Sequence, residues 1–181
     1  NTMVVLGGGE LGGSADYQVT YVADATGGIQ TTTVVEKFDF GTGASPIATG
    51  YTDVAHTDNY DATLGWGWTG GTIDSRDRAT GSDLGRDFCF STDGTFGFDI
   101  DNAKYEVMVL MGDMTYTHDN QDLYLEGNLV ATTTTSNEVT WIGPFETTVT
   151  DGQLSVRIHD LGGSDPNACT AALEVREGLA L

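Results

Sequence analysis

Residues 122–134 read DLYLEGNLVATTT, the pattern of two strands joined by a tight turn. Leu123 and Leu125 alternate with Asp122, Tyr124 and Glu126, which puts the two leucines on one face of an extended chain. Leu129–Thr134 resumes the extended pattern after Gly127-Asn128, residue types that tolerate the positive φ of a hairpin connection. The same arrangement recurs on either side. Asp151-Gly152 separates TTVT from QLSV, and Asp93-Gly94 separates FCFS from TFGF.

Further outward, Thr33–Phe40, Asp87–Phe90, Thr95–Ile100, Tyr105–Met111, Val139–Thr150, Gln153–His159 and Ala171–Arg176 also read as strands, beside Asp122–Leu125 and Leu129–Thr134. Helical spacing of apolar residues is hard to find, because glycine, threonine and aspartate interrupt nearly every window. Short strands and turn residues at this spacing predict an all-β domain, an antiparallel β-sandwich of the jelly-roll kind. No internal repeat is visible, which disfavours a propeller or a solenoid.

At 181 residues the chain is long enough for one domain with a proper core. Its 25 glycines and 39% hydrophobic content suit a turn-rich β protein better than a helical one. The net charge of −20 repels polyphosphate and anionic lipid, so neither nucleic acid nor a membrane surface is an expected partner. The charge has two uses: solubility in a salty medium, where screening relieves self-repulsion, and calcium ligation by some of the aspartates. No apolar run is long enough to cross a bilayer and no leader pattern is visible, so a soluble, processed chain is expected. Cys89 and Cys169 both fall in strand-like stretches. An exported protein could pair them, but sequence leaves their separation open. A catalytic thiol is not favoured, because no histidine stands in a matching motif.

Residues 1–33 differ from the rest, containing GGGELGG and ATGG but no tryptophan, cysteine or basic residue. They read as an arm or linker, with a strand pair around Tyr17–Ala23 and Ile29–Val35, and the compact module is expected over residues 34–181. Val4–Gly12, VVLGGGELG, contains G-x-G-x-x-G, yet the next residues, SADYQVTYV, are strand-like and no βαβ alternation appears. A glycine-rich connection is the expected reading, not a nucleotide site.

Three segments, expected to be loops, collect most of the unusual chemistry: Gly65–Arg86, Asp113–Asn120 and Asp160–Asn167. Trp66 and Trp68 flank Gly67, so in a strand both face the same side. Core packing and a stacking face for a ligand are both open for them. Trp141 reads as core. Arg76, Asp77, Arg78, Asp83, Arg86 and Asp87 alternate in sign. They form either a salt-bridge network that ties the segment to the sheet or a guanidinium fork for sugar hydroxyls or a uronate. Asp113, His118, Asp119 and Asp122 offer a base, a metal ligand or a structural hydrogen-bonder. Without a nucleophile motif, and with two acids always to be found among 27, glycoside hydrolysis gains no support from them. Asp160, Asp165 and Asn167 sit in DLGGSDPN, which reads as an Asx turn or as an oxygen-rich calcium loop that lacks EF-hand spacing.

The stretches FDFGTGASPIATGY at 38–51, GWGW with SRDR and SDLGRDF at 65–88, and MGDMTYTHDNQDLYLEG at 111–127 stand in a recognisable order. With VTDGQLSVRIHDLGGSDPNACTAALEV at 149–175, they resemble the galactose-binding-like or malectin-like modules of polysaccharide-degrading proteins. Such modules are appended to rhamnogalacturonan acetylesterases and to large marine bacterial proteins. The resemblance implies a galactose-binding-like sandwich and a secreted or cell-surface location. The function it implies is that of a non-catalytic module for a plant or algal polysaccharide, a monomer within a larger multidomain protein. A surface adhesion or structural module, and a polysaccharide lyase or esterase, are the alternatives. The expected ligand-binding residues are Trp66, Trp68, Arg76, Asp77, Arg78, Tyr116, His118 and Asp119. A structural calcium ion is expected at Asp39, Asp160 and Asp165, since first and last strands of such sandwiches often lie together.

Overall fold

The computed structural model describes residues 21–23, 29–31 and 33–178. The G-x-G-x-x-G segment and most of the proposed arm lie outside the described residues. Within them, β1 (Tyr21–Ala23) and β2 (Ile29–Thr31) pair antiparallel in a small sheet of their own. Ten further strands form the module: β3 (Val34–Gly41), β4 (Thr52–Ala55), β5 (Trp66–Gly70), β6 (Asp74–Asp77), β7 (Asp87–Ser91), β8 (Asp93–Asp99), β9 (Lys104–Leu125), β10 (Asn128–Thr148), β11 (Gln153–Asp160) and β12 (Ala168–Glu177). No helix occurs among the described residues, so the all-β expectation holds.

The strands run β4-β3-β12-β9-β11-β8-β5, with β10 on β9 and the β6-β7 pair joined through β12. Two layers arise because β9 is long enough to belong to both. Its first half pairs with β12 from Tyr105 to Met111, and its second half pairs with β11 from Gln121 to Leu125. β10 runs beside it along almost its whole length. Four register shifts in that ladder bend the ribbon as it passes from one layer to the other, as bulges do. Gly112 permits the bend at φ +119, where a Cβ would lie 2.2 Å from the Glu138 carbonyl oxygen.

Several expectations need correction. Tyr105–Met111 and Asp122–Leu125 are one strand, as are Leu129–Thr134 and Val139–Thr150, because bulges interrupt the alternation without ending the pairing. The hairpin between them turns on Glu126-Gly127, both at positive φ, one residue before Gly127-Asn128. The other two turn dipeptides join no hairpin. β7 and β10 do not pair with the strands next in sequence, and the chain there crosses between layers. The sandwich is antiparallel throughout except for β3 and β4, which are parallel. β5 and β6, short and rich in Gly and Asp, lie in the Gly65–Arg86 segment expected to be loop, and β4 lies in a stretch not read as a strand.

The layers are held together by aromatic rings. Phe38 and Phe40 on β3 meet Phe96 on β8 edge-on at centroid separations of 5.0 and 5.1 Å, and Phe40 meets Trp68 at 5.4 Å. Each such pair adds roughly 0.5–1.5 kcal/mol beyond its buried area. The aliphatic core continues through Val107, Leu123, Leu154, Ile158 and Leu173. A smaller cluster, built on Phe88, Leu110, Cys169 and Ala171, lies under Tyr51, Leu84, Phe90 and Trp141. The two cysteines are free. Cys169 stands opposite Phe90 and Cys89 opposite Thr170, one residue out of register, so their side chains leave the sheet on opposite faces.

Candidate functional site

The crossing stretch of β9, residues 112–120, meets the 161–167 connection between β11 and β12. Arg78, Tyr116, His118 and Asp119 come together there. Asp113 is their anchor. Its side chain is fully buried, and Arg78 grips it through Nη2 at 2.6 Å and Nε at 3.1 Å. The Thr115 backbone N–H donates to Asp113 at 2.7 Å, and His118 Nε2 lies 3.4 Å from it. Burial alone would raise this carboxyl. The hydrogen bonds from Arg78, Thr115 and His118 outweigh it and hold Asp113 below the usual carboxylate range.

The guanidinium of Arg78 lies between two rings, 5.5 Å from the Phe88 centroid and 4.7 Å from that of Tyr116. Phe88 belongs to the buried cluster below, whereas Tyr116 is 56% exposed. The result is a ledge: a tyrosine ring presented to solvent, backed on one face by an immobilised arginine. His118, almost fully buried, is held from its other side by Asp165, 3.0 Å from Nδ1, and by the Asn167 carbonyl at 3.3 Å. Both ring nitrogens thus face acceptors, which fits a structural clasp between β9 and the 161–167 connection.

Asp119 closes that connection. It accepts from the Ser164 and Asp165 backbone N–H groups and from the Ser164 hydroxyl, each at 3.1 Å, and the two backbone bonds lower its carboxyl. Asp160 accepts from Gly162 N–H, and Asp165 from Asn167 N–H. The DLGGSDPN acids therefore act as turn-builders.

Arg76 and Asp77 lie beside the ledge on β6. Arg76 lies over Phe90 at 5.3 Å and reaches Asp74 at 3.6 Å. Asp77 is bound two-pronged by Arg86 at 3.0 and 2.9 Å. Trp66 and Trp68 face the same side, as β-alternation requires, and that side is the interior. Trp68 is buried against Phe40 and Phe96, with its indole N–H on the Ala55 carbonyl at 3.2 Å, so it has no face for a ligand. Trp66 is half-buried, 5.9 Å from Phe38. Of the two readings open for the tryptophans, core packing holds for Trp68, and Trp66 packs against that core with part of its surface exposed.

The calcium set does not assemble. Asp39 is buried beside Asp87, while Asp160 lies with Asp165 and Asp119, whose oxygens are largely taken by backbone N–H groups. Among the described residues, no three His, Cys, Asp or Glu side chains are placed to hold a metal together. Asp39 Oδ2 accepts from Ala48 N–H at 2.7 Å, and Ser45 donates to Asp87. The Oδ1 atoms of both aspartates are buried without a partner among the described residues. Burial pushes Asp39 up to about 7 against the opposing Ala48 bond, with the Asp87 and Asp53 charges adding to the rise. Asp87 is pushed by burial to about 6.

Asp113 as the anchor, and Phe88 and Phe90 as beds for the arginines, were not singled out for binding from sequence. The i, i+2 spacing of the two phenylalanines in DFCFS was the available signal, since it puts both on one face.

Fold and site define a β-sandwich domain with an aromatic and arginine ledge at one end, of the galactose-binding-like class. More particularly, the chain belongs to the Beta-agarase/YXIM esterase-like, galactose-binding domain-like family, whose model matches residues 36–176. It is 32% identical over 134 residues to Beta-agarase A of Zobellia galactanivorans, a match covering 71% of this chain and 24% of that protein. The crystal structure of protein YXIM from Bacillus subtilis is similar at TM-score 0.63 and 25% identity, over 79% of this chain and 40% of that one. The ANXUR2 extracellular domain of Arabidopsis thaliana shares the fold at TM-score 0.55 and 10% identity, over 83% of this chain and 50% of that one. The chain thus matches about a quarter of the agarase and well under half of YXIM. Among the described residues, no helix is long and apolar enough to cross a membrane.

Proposed function

We propose that this chain is a non-catalytic carbohydrate-binding module of a secreted polysaccharide-degrading protein, and that it takes a plant or algal polysaccharide on the Tyr116 ledge. The observation that carries the reading is the exposed Tyr116 ring held rigid by the Arg78–Asp113 pair. A pyranose has an apolar C–H face and a rim of hydroxyls. A fixed ring with guanidinium and carboxylate groups beside it matches both. Prior immobilisation by Asp113 and Phe88 lowers the ordering cost of binding. Kinship with a galactose-binding-like family, and with an agarase in particular, supports the same ligand class. The buried setting of His118, with both nitrogens on acceptors, supports a structural clasp rather than the sugar contact expected of it or proton transfer.

Affinity electrophoresis through agarose-type galactan and pectic gels tests this. The parent chain is retarded, and Tyr116→Ala runs faster with an unchanged melting temperature. A Tyr116→Ala variant retarded as strongly as the parent would remove the ledge from the site. Release of reducing ends, unsaturated products or acetate by the chain itself would instead favour the enzyme alternative.

A further inference from the structure

The sign of the charges around the ledge narrows the ligand class. This inference rests on the sugar-binding reading above and concerns the same site. The chain has five arginines and two lysines against 27 acidic residues. Every arginine stands against a carboxylate: Arg78 on Asp113, Arg86 on Asp77, Arg157 on Asp93, Arg176 on Glu174 and, more loosely, Arg76 near Asp74. Lys37 lies over the Tyr51 ring at 4.5 Å. At the ledge itself the guanidinium of Arg78 is spent on Asp113, and Asp165 stands on the other side of His118 from that pair.

We propose that the ledge accepts neutral sugar units and rejects units that carry a carboxylate or sulfate ester. A uronate or sulfate brought to Tyr116 meets no guanidinium that does not already stand opposite a carboxylate, and it must also enter the field of a chain at −20. A hydroxyl-bearing neutral unit loses nothing to that field.

The experiment uses the whole chain in native gels containing unsubstituted agarose-type galactan, a sulfated galactan or polygalacturonate, at low salt and at 0.3 M NaCl, with EDTA present. The second salt level shortens the screening length to about 5–6 Å. The expected result is retardation in the neutral gel at both salt levels and at least tenfold weaker retardation in the charged gels at low salt. A second variant guards against misreading: Asp74→Asn keeps an oxygen for the Ser75 N–H but releases Arg76 from the carboxylate beside it. It should gain affinity for the sulfated galactan at low salt, with binding to the neutral galactan unchanged. Retardation by a charged gel equal to or stronger than that by the neutral one, weakening with salt, overturns the charge inference and leaves the sugar-binding reading standing. No retardation in any gel overturns both.

Discussion

Asp39→Asn should make this protein more stable at pH 8 and somewhat less stable at pH 4.5. Asp39 is 2% exposed, its Oδ1 atom has no partner among the described residues, and burial raises its folded-state value to about 7 from 3.8. The folded chain therefore holds a proton that the unfolded chain sheds above about pH 4. Because the folded state binds more protons in that window, stability falls as pH rises from about 4 to about 7 and then levels off. A rise of about three units corresponds to roughly 4 kcal/mol of lost stability at pH 8, as an order of magnitude. Asparagine keeps an oxygen for the Ala48 N–H but places an N–H₂ where the unpartnered oxygen was, at a cost of about 1–3 kcal/mol. The net expectation is a gain of about 1–3 kcal/mol at pH 8 and a loss of up to about 2 kcal/mol at pH 4.5, a difference of about 3 kcal/mol, because roughly 1 of the 4 kcal/mol is already lost at pH 4.5. Urea unfolding tracked by tryptophan fluorescence at pH 4.5, 6 and 8, with EDTA present, measures it. An equal effect at all three values would refute the reasoning, because it would mean that Asp39 titrates alike in both states.

The geometry carries four further expected outcomes. Trp68→Ala should cost about 3–5 kcal/mol of stability, read from urea midpoints, because it empties the contact among Phe40, Phe96 and Ala55. Tyr116→Ala should weaken sugar binding about two- to tenfold, from roughly 0.5–1.5 kcal/mol of lost stacking, while calorimetric melting stays put. Arg78→Ala leaves the buried Asp113 charge without its main partner and should destabilise by about 3–5 kcal/mol, whereas Arg76→Ala, on an exposed pair, should stay within about 1 kcal/mol. A reductant should leave the melting temperature of the oxidised protein unchanged, since Cys89 and Cys169 leave the sheet on opposite faces.

Seven of the strands were legible because alternation and β-branched content are local properties. Their partners were harder to read. Asp151-Gly152 and Asp93-Gly94 announce a change of direction, but a turn residue carries no mark of which layer the next strand joins. The chain crosses at Asp151-Gly152 and just before Asp93-Gly94, which already opens β8 opposite His159 and Ile158. β9 and β10 read as four short strands for a related reason. Gly112, Asp113 and Asn120 break the two-residue period, yet the ladder runs on past them: Gly112 and Asp113 pair with Val139 and Glu138, the register shifts lie to either side, and a bulge is defined by the partner strand.

The site shows the same division between local and distant information. The grouping of Arg78, Tyr116, His118 and Asp119 was expected from the resemblance to galactose-binding-like modules, whose loop aromatics and charged groups are read as the ligand site. The error over Trp66 and Trp68 was one of direction rather than of face. Alternation around Gly67 put both rings on one side, but only the layer opposite, with Phe38, Phe40 and Phe96, makes that side the interior. A tryptophan's size suits a core and a sugar face equally well, so composition does not decide between them. What decides here is Asp113. A carboxylate buried without charge compensation is costly, so the arginine that satisfies it is fixed in place, and the ring stacked on that arginine is fixed with it. The aromatic face that Tyr116 leaves to solvent is therefore backed by an ion pair beneath it, a dependence that links Arg78, Asp113 and Tyr116.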